Sequence, residues 1–451
     1  MTEKSYCESL ADIVRYIQNE PLPKAVIEEA KTCFIDFLSA CYSGAAVPLA
    51  SAGLSLLKVM GTGTSTLIGR PEKGTVSGAA FYNGMIATAE DVDDAHRYAS
   101  GLHLSATTFP VALSLGEAHN IDGSRFIRAV AAGYEISSRI ARSIDTGHRK
   151  RGFHSTGTVG PFGACAVSAV VMNLEKELIM NAFGIAGSTS AGLFAFLEDG
   201  ASVRHVHAGQ ACSNGIMAAL LAANGMTGPM RVFEAKEGFL NAYTTQHEPD
   251  FIMQDMGGAY EIFSAYHKIY QACGHSFPAI DAALSLKDAL YDRLDDIKCI
   301  EVKAYPASAA LDLKTPRTIA QARFSIPFLV GLALVRGNVT AMEMVPENLN
   351  DTRITALASK VSVIEDPAVT LDYPELRSGK VVVTMVDGTV LEKKIEAPRG
   401  MPENPVGREV IEQKFRNASR GVLTPERQEK IVAAVNRLEQ MSSLTEMTGL
   451  F

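Results

Sequence analysis

"VGPFGACAVSAVVMN" (159–173) is built mostly from Gly, Ala, Ser and Val, and its reading sets the fold of the larger part of the chain. Small side chains let helices approach closely, so the stretch reads as a central, buried helix. "ACSNGIMAALLAANG" (211–225) has the same character. Working outward, "LPKAVIEEAKTCFIDFLSACYSG" (22–44) places Val26, Ile27, Ala30, Phe34, Phe37, Leu38 and Cys41 on one helical face, with Pro23 and Gly44 punctuating its ends. Helical patterns also cover about 74–89, 105–119, 123–143, 157–173, 175–187 and 207–224. Residues 1–262 are therefore expected to form a large all-helical domain.

The pattern changes after residue 262. "IKCIEVKAY" (297–305) alternates with the period of a strand, and "KVVVTMVDGTVLEKKIEA" (380–397) reads as a hairpin turning at Asp387-Gly388. Amphipathic helices are expected between them, at about 276–291 and 318–336. Residues 263–398 thus read as a smaller α+β domain. Helices return in "REVIEQKFRNAS" (408–419) and in "TPERQEKIVAAVNRLEQM" (424–441), where Thr424 reads as an N-cap and Pro425 as the first helical residue. The segment 399–451 is expected to return to the helical domain. The fold class is mainly α with a smaller α+β part.

The 451 residues are 47% hydrophobic and 20% charged, with a net charge of −8, so no basic field is present to hold a nucleic-acid backbone. Seven scattered cysteines without a C-x-x-C read as reduced thiols of a cytoplasmic protein. The N-terminus lacks the basic head and apolar run of a signal peptide, and no stretch has the length of a charge-free membrane span.

All ten histidines fall between residues 96 and 275. Imidazole titrates near neutral pH, so such crowding points to acid–base chemistry. Three clusters each lie in a turn leading into a buried helix. The first holds Asp91, Asp93, Asp94, His96 and His103. The second, "HRKRGFHSTGTVG", holds His148, Arg149, Lys150, Arg151 and His154. The third holds Arg204, His205 and His207. Helix starts favour carboxylate ligands. A fourth segment, with His267, Lys268 and His275, falls at the expected domain junction, where ligand sites are common. Other readings compete: the aspartates can cap a helix, single histidines can be structural, and the "HRKR" run can be a solvated loop. Clustered Asp and His can also hold a divalent ion, as in a metal-dependent hydrolase, but H-E-x-x-H, Walker and G-x-G-x-x-G signatures are all missing.

Taken together, "EDVDDAHRYASGLH" (90–103), "RGFHSTGTVGPFGA" (151–164), "VRHVHAGQA" (203–211), "KIYQACGHSFPAIDAA" (268–283) and "QARFSIPF" (321–328) resemble the MmgE/PrpD family, which contains 2-methylcitrate dehydratases, cis-aconitate decarboxylases and iminodisuccinate epimerases. The resemblance implies a helical domain with an α+β lid, a homodimer and no organic cofactor; no metal is expected either. It carries catalytic roles to His103, His154 and Asp91, and substrate contacts to Arg204, Lys268 and His207. Asp91 would orient or charge-stabilise one of the two imidazoles. Three departures stand out: Ala95 follows the D-x-D-D, Ala310 stands where the decarboxylases have a Tyr, and Gln271 replaces a usual Pro. The expected activity is a dehydratase-type lyase on a citrate-like di- or tricarboxylate. An imino- or amino-dicarboxylate epimerase is the alternative, and a decarboxylase ranks third.

Overall fold

The computed structural model describes residues 4–99, 101–254, 256 and 259–451, without the side chains of Asp145 and Thr146. The chain divides into two compact units, Met1–His267 with Gly407–Phe451, and Lys268–Val406. The sequence placed these divisions at 262/263 and 398/399. Residues 263–267 stay with the first unit because Ala265–Tyr266 pairs with Ala95–His96 and His267 bonds to Asp36. Residues 399–406 stay with the second because the Arg399 N–H donates to Asp281 and the Gly400 N–H to the Asn404 carbonyl.

The first unit is a stack of helices: α1 (Tyr6–Asn19), α2 (Lys24–Ala45), α3 (Leu49–Met60), α4 (Val76–Ala87), α5 (Leu104–His119), α6 (Gly123–Lys150), α7 (Ser155–Thr158), α8 (Gly160–Met172), α9 (Lys176–Thr189), α10 (Phe196–Asp199) and α11 (Arg204–Ala223). Helix α8, the small-residue stretch, packs against α5, α6, α9 and α11. Its surface admits nothing larger. A Cβ on Gly163 would meet Ser137 Oγ of α6 at 1.9 Å, and one on Gly215 of α11 would meet Ala164 Cβ at 2.3 Å. Helices α5 and α8 each end on an asparagine in the left-handed conformation, Asn120 and Asn173, the residue type that tolerates it best after glycine. An aromatic core lies beneath, where Phe109 stacks on Phe34 and Phe37 at 5.1 Å each.

Helix α6 runs seven residues past the expected end at 143 and takes in His148–Lys150. The "HRKR" run is therefore its last turn rather than a solvated loop, a position that suits cations at the negative end of a helix dipole. The C-terminal helix Arg408–Ala418 packs on α2. Its Lys414 ammonium donates to the Asp36 carboxylate and to the Val92 carbonyl. Thr424 caps Pro425–Asn436 by accepting from the Arg427 N–H.

The second unit is a four-stranded sheet. With β1 (Ser65–Thr66), β2 (Lys73–Gly74), β3 (Ala95–His96) and β4 (Ala265–Tyr266) as short pairs in the first unit, its strands are β5 (Ile297–Ala304), β6 (Val361–Glu365), β7 (Gly379–Met385) and β8 (Val390–Ile395), in the order β6-β5-β7-β8. Strands β5 and β6 run parallel and the other pairs antiparallel. The parallel pair needs a long crossover, which helices Ile326–Arg336 and Thr352–Lys360 supply. The expected helix at 318–336 is broken: Ser325 caps a new start and Pro327 occupies its first turn. Among the described residues no single helix is long and apolar enough to cross a membrane.

Candidate active site

The three sequence clusters of the first unit meet at helix starts. His103 is the N-cap of α5, His154 the N-cap of α7, and Arg204 the first residue of α11. The His103 and His154 rings meet edge to face with centroids 6.2 Å apart. Both side chains are buried, His103 at 6% and His154 at 3% exposure.

The three aspartates take three different partners. Asp94 accepts from the Ser105 N–H at 2.9 Å and from the Tyr134 hydroxyl at 2.6 Å, so it ties the start of α5 to α6. Burial, only partly offset by these donors, raises its carboxyl above the usual range. Asp93 Oδ2 lies 2.8 Å from His103 Nδ1. An ionised carboxylate only accepts, so Nδ1 carries the proton and Nε2 is left for chemistry. Asp91 pairs instead with Arg204, Oδ1 to Nη2 at 3.2 Å. Its φ of +57° turns the chain between the two acids. The same Nη2 donates to the Thr88 carbonyl at 3.0 Å.

His154 sits among rings and cations. Phe194 and Phe196 pack edge-on to it at 4.7 and 5.5 Å, and the Arg149 guanidinium covers Phe194 at 3.9 Å. Its Nδ1 lies 2.8 Å from His207 Nδ1. Burial first, then the charges of His103, His207, Arg204 and Arg149, hold the His154 pKa well below the usual imidazole value. Burial and Arg204 lower His207 as well. His154 is therefore neutral at neutral pH, with a ring lone pair available to accept a proton. Gly101 allows the close approach on its far edge, for a Cβ there would lie 2.9 Å from His154 Cδ2 and 3.3 Å from Nε2.

Asp91, Asp93 and His103 bring donor atoms within 4.8 Å of one another, as do Glu29, Cys33 and His267. In the first group a guanidinium already stands against Asp91 and His103 against Asp93. In the second, both ring nitrogens of His267 are used, by Asp36 at 3.0 Å and Glu29 at 3.2 Å.

Residues 8–252 match the MmgE/PrpD N-terminal domain and residues 270–440 the MmgE/PrpD C-terminal domain. The chain belongs to the MmgE/PrpD family. It is 25% identical to the cis-aconitate decarboxylase-like protein oryM of Aspergillus oryzae, over 99% of this chain and 97% of that one. It is 24% identical to the cis-aconitate decarboxylase of Homo sapiens, over 100% and 95% of the two chains. It is 29% identical to the 2-methylcitrate dehydratase of Cupriavidus necator, over 60% and 58%.

Within this MmgE/PrpD chain the expected residues divide. His103, His154, Asp91, Arg204 and His207 lie in one cluster of the first unit. Lys268 is the first residue of the second unit, where it is 3% exposed. Two partnerships differ from expectation. The carboxylate bonded to an imidazole is Asp93 rather than Asp91, and His207 faces His154 before any substrate. The remaining histidines of the clusters are structural: His96 meets Glu261 at 3.4 Å, His205 meets Thr88 Oγ1 at 3.2 Å, and His148 meets Thr158 Oγ1 at 2.8 Å. In the second unit His275 Nδ1 lies 2.9 Å from the Tyr305 hydroxyl.

Proposed function

We propose that this MmgE/PrpD protein is a lyase that removes a proton α to a carboxylate of a citrate-like di- or tricarboxylate, in a dehydration. The observation that carries the reading is the pair of buried imidazoles 6.2 Å apart, each with its own Nδ1 partner, beside Arg204. Removing such a proton places charge on a group that is already negative, so a base and a cation are both needed. His154, held neutral, takes the proton on Nε2. The electron pair left on carbon forms the double bond as the β-hydroxyl departs. His103 gives that hydroxyl a proton, and the product leaves with one water. Asp93 supplies the counter-charge His103 needs when it carries two protons, as a carboxylate does behind a catalytic histidine. Arg204 contacts Asp91 and Thr88 through Nη2 alone among the described residues, which leaves Nε and Nη1 for a substrate carboxylate. Lys268 keeps a proposed carboxylate contact on the strength of the family resemblance.

Decarboxylation is the second reading. It is favoured by relatives named cis-aconitate decarboxylase that match nearly the whole chain, whereas the dehydratase named above matches 60% of it. Ala95 and Ala310 speak for dehydration. The test is turnover of 2-methylcitrate, citrate, cis-aconitate and an aminosuccinate in D₂O, followed by NMR. Water loss with exchange at the α-carbon, abolished in His154→Ala, supports the proposal. Release of CO₂ selects decarboxylation. Inversion without net loss selects the epimerase. Exchange that survives in both single histidine variants and in the double places the base elsewhere.

A further inference from the structure

Away from the proposed acid–base pair, one face of α2 carries a second set of chemical side chains. Glu29, Cys33 and Asp36 follow one another at helical spacing, each about one turn beyond the last. Cys33 and Asp36 are fully buried and Glu29 is half-buried. His267, directly after β4, bridges the outer two. Its Nδ1 lies 3.0 Å from Asp36 Oδ2 and its Nε2 lies 3.2 Å from Glu29 Oε1. Ionised carboxylates only accept, so both ring nitrogens carry protons in this arrangement. The Cys33 thiol donates to the same Glu29 oxygen from 3.9 Å. A proton on nitrogen and a proton on sulfur thus converge on one carboxylate oxygen.

Those protons stand where a metal ion fits. The three donor atoms lie within 4.8 Å of one another. A tetrahedral Zn²⁺, about 2.0–2.2 Å from nitrogen and oxygen and about 2.3 Å from sulfur, sets N and O about 3.4 Å apart and O and S about 3.6 Å apart. The observed 3.2 and 3.9 Å depart from these by a few tenths of an ångström. The support behind the ring is that of a metal ligand too: Nδ1–H donates to Asp36, which leaves Nε2 for the ion, and Lys414 in turn holds Asp36. We propose that Glu29, Cys33 and His267 form a zinc site, with a solvent molecule as the fourth ligand. The exchange balances. The ion brings two positive charges as the imidazolium proton and the thiol proton leave, so the net charge is unchanged. The soft thiolate selects Zn²⁺ over Mg²⁺ and Ca²⁺. The ion ties α2 to the segment after β4. None of its ligands is a proposed acid, base or anion contact, so the site acts on stability and does not rest on the reaction assigned above.

The test uses the full chain, stripped with a chelator, kept reduced, and titrated with Co²⁺ and then with Zn²⁺. Equimolar Co²⁺ should give a thiolate-to-metal charge-transfer band in the near ultraviolet, and Zn²⁺ should erase it. Zn²⁺ should also raise the urea midpoint, since an ion that binds the folded chain stabilises it. Cys33→Ser should abolish the band and weaken Zn²⁺ binding by more than the about 10–100-fold that a lost outer partner costs. His267→Gln should do the same. Cys299→Ser, in the second unit, should leave band and affinity unchanged. Absence of the band in the wild type at saturating Co²⁺ overturns the site without recourse to any variant. A band or a Zn²⁺ affinity that survives in Cys33→Ser overturns it as well. So does Zn²⁺ binding that Asp93→Asn abolishes, which would place the ion at Asp91, Asp93 and His103.

Discussion

Acidification should destabilise the first unit through His148, and the size of the effect follows from its burial. The ring is fully enclosed, stacks on Phe153 at 5.4 Å, and bonds to the Tyr243 carbonyl and the Thr158 hydroxyl. Burial, reinforced by the charge of Arg151 and opposed by the Tyr243 carbonyl, lowers its pKa from 6.5 to about 4. The unfolded chain therefore takes up this proton before the folded one does. Stability is full above pH 6.5 and is lost as pH falls toward 4. The gap spans about 2.5 pH units, which at 1.36 kcal/mol each amounts to about 3 kcal/mol in all, and about 2 kcal/mol by pH 5. Urea unfolding at a series of pH values measures it, with wild type compared to His148→Gln. The lowered His154 and His207 and the raised His267 are common to both proteins and cancel in the difference. The variant should lose less stability between pH 6.5 and 4 by about that amount. Parallel curves would refute the argument that His148 folds uncharged.

Three further outcomes are expected. Asp93→Asn should lower kcat by about 100-fold or more with little change in KM, because the amide leaves the His103 tautomer unset; wild-type kcat would remove Asp93 from the mechanism. Arg204→Ala leaves Asp91, 3% exposed, as a buried charge without this partner. It should raise KM and cost about 3–5 kcal/mol in urea unfolding, while Arg204→Lys recovers part of both. Exhaustive chelation should leave turnover unchanged, and a loss that an added divalent ion repairs would reassign Asp91, Asp93 and His103 as metal ligands.

The helices were legible because their signals are local. The 22–44 face, the small-residue runs and the Thr424-Pro425 start each depend on neighbours within a few turns, and each helix formed where they lie. The Asp387-Gly388 turn is local too, with Gly388 at a φ of +86°. Strand β6 went unread because five residues after a helix give little alternation to count, and its pairing partner β5 lies some sixty residues earlier. The site was legible as a set of residues but not as a set of bonds. Three aspartates within four positions look alike in sequence. Which one meets His103 depends on the left-handed turn at Asp91 and on where α11 delivers Arg204. The His154–His207 contact joins residues 53 positions apart and leaves no mark on the local pattern.

Lys414 binds the Val92 carbonyl and Asp36 from 322 and 378 positions further along the chain. The loop that bears Asp91, Asp93 and His103 is thus braced by a side chain made more than three hundred residues later. During synthesis the proposed catalytic groups emerge early and stay without this brace until the helix Arg408–Ala418 arrives. A chain stopped at residue 406 would carry every proposed acid, base and anion contact and still lack the strut that holds the acidic loop in register. Competence is in this sense delivered late, by a segment that bears none of the proposed site residues.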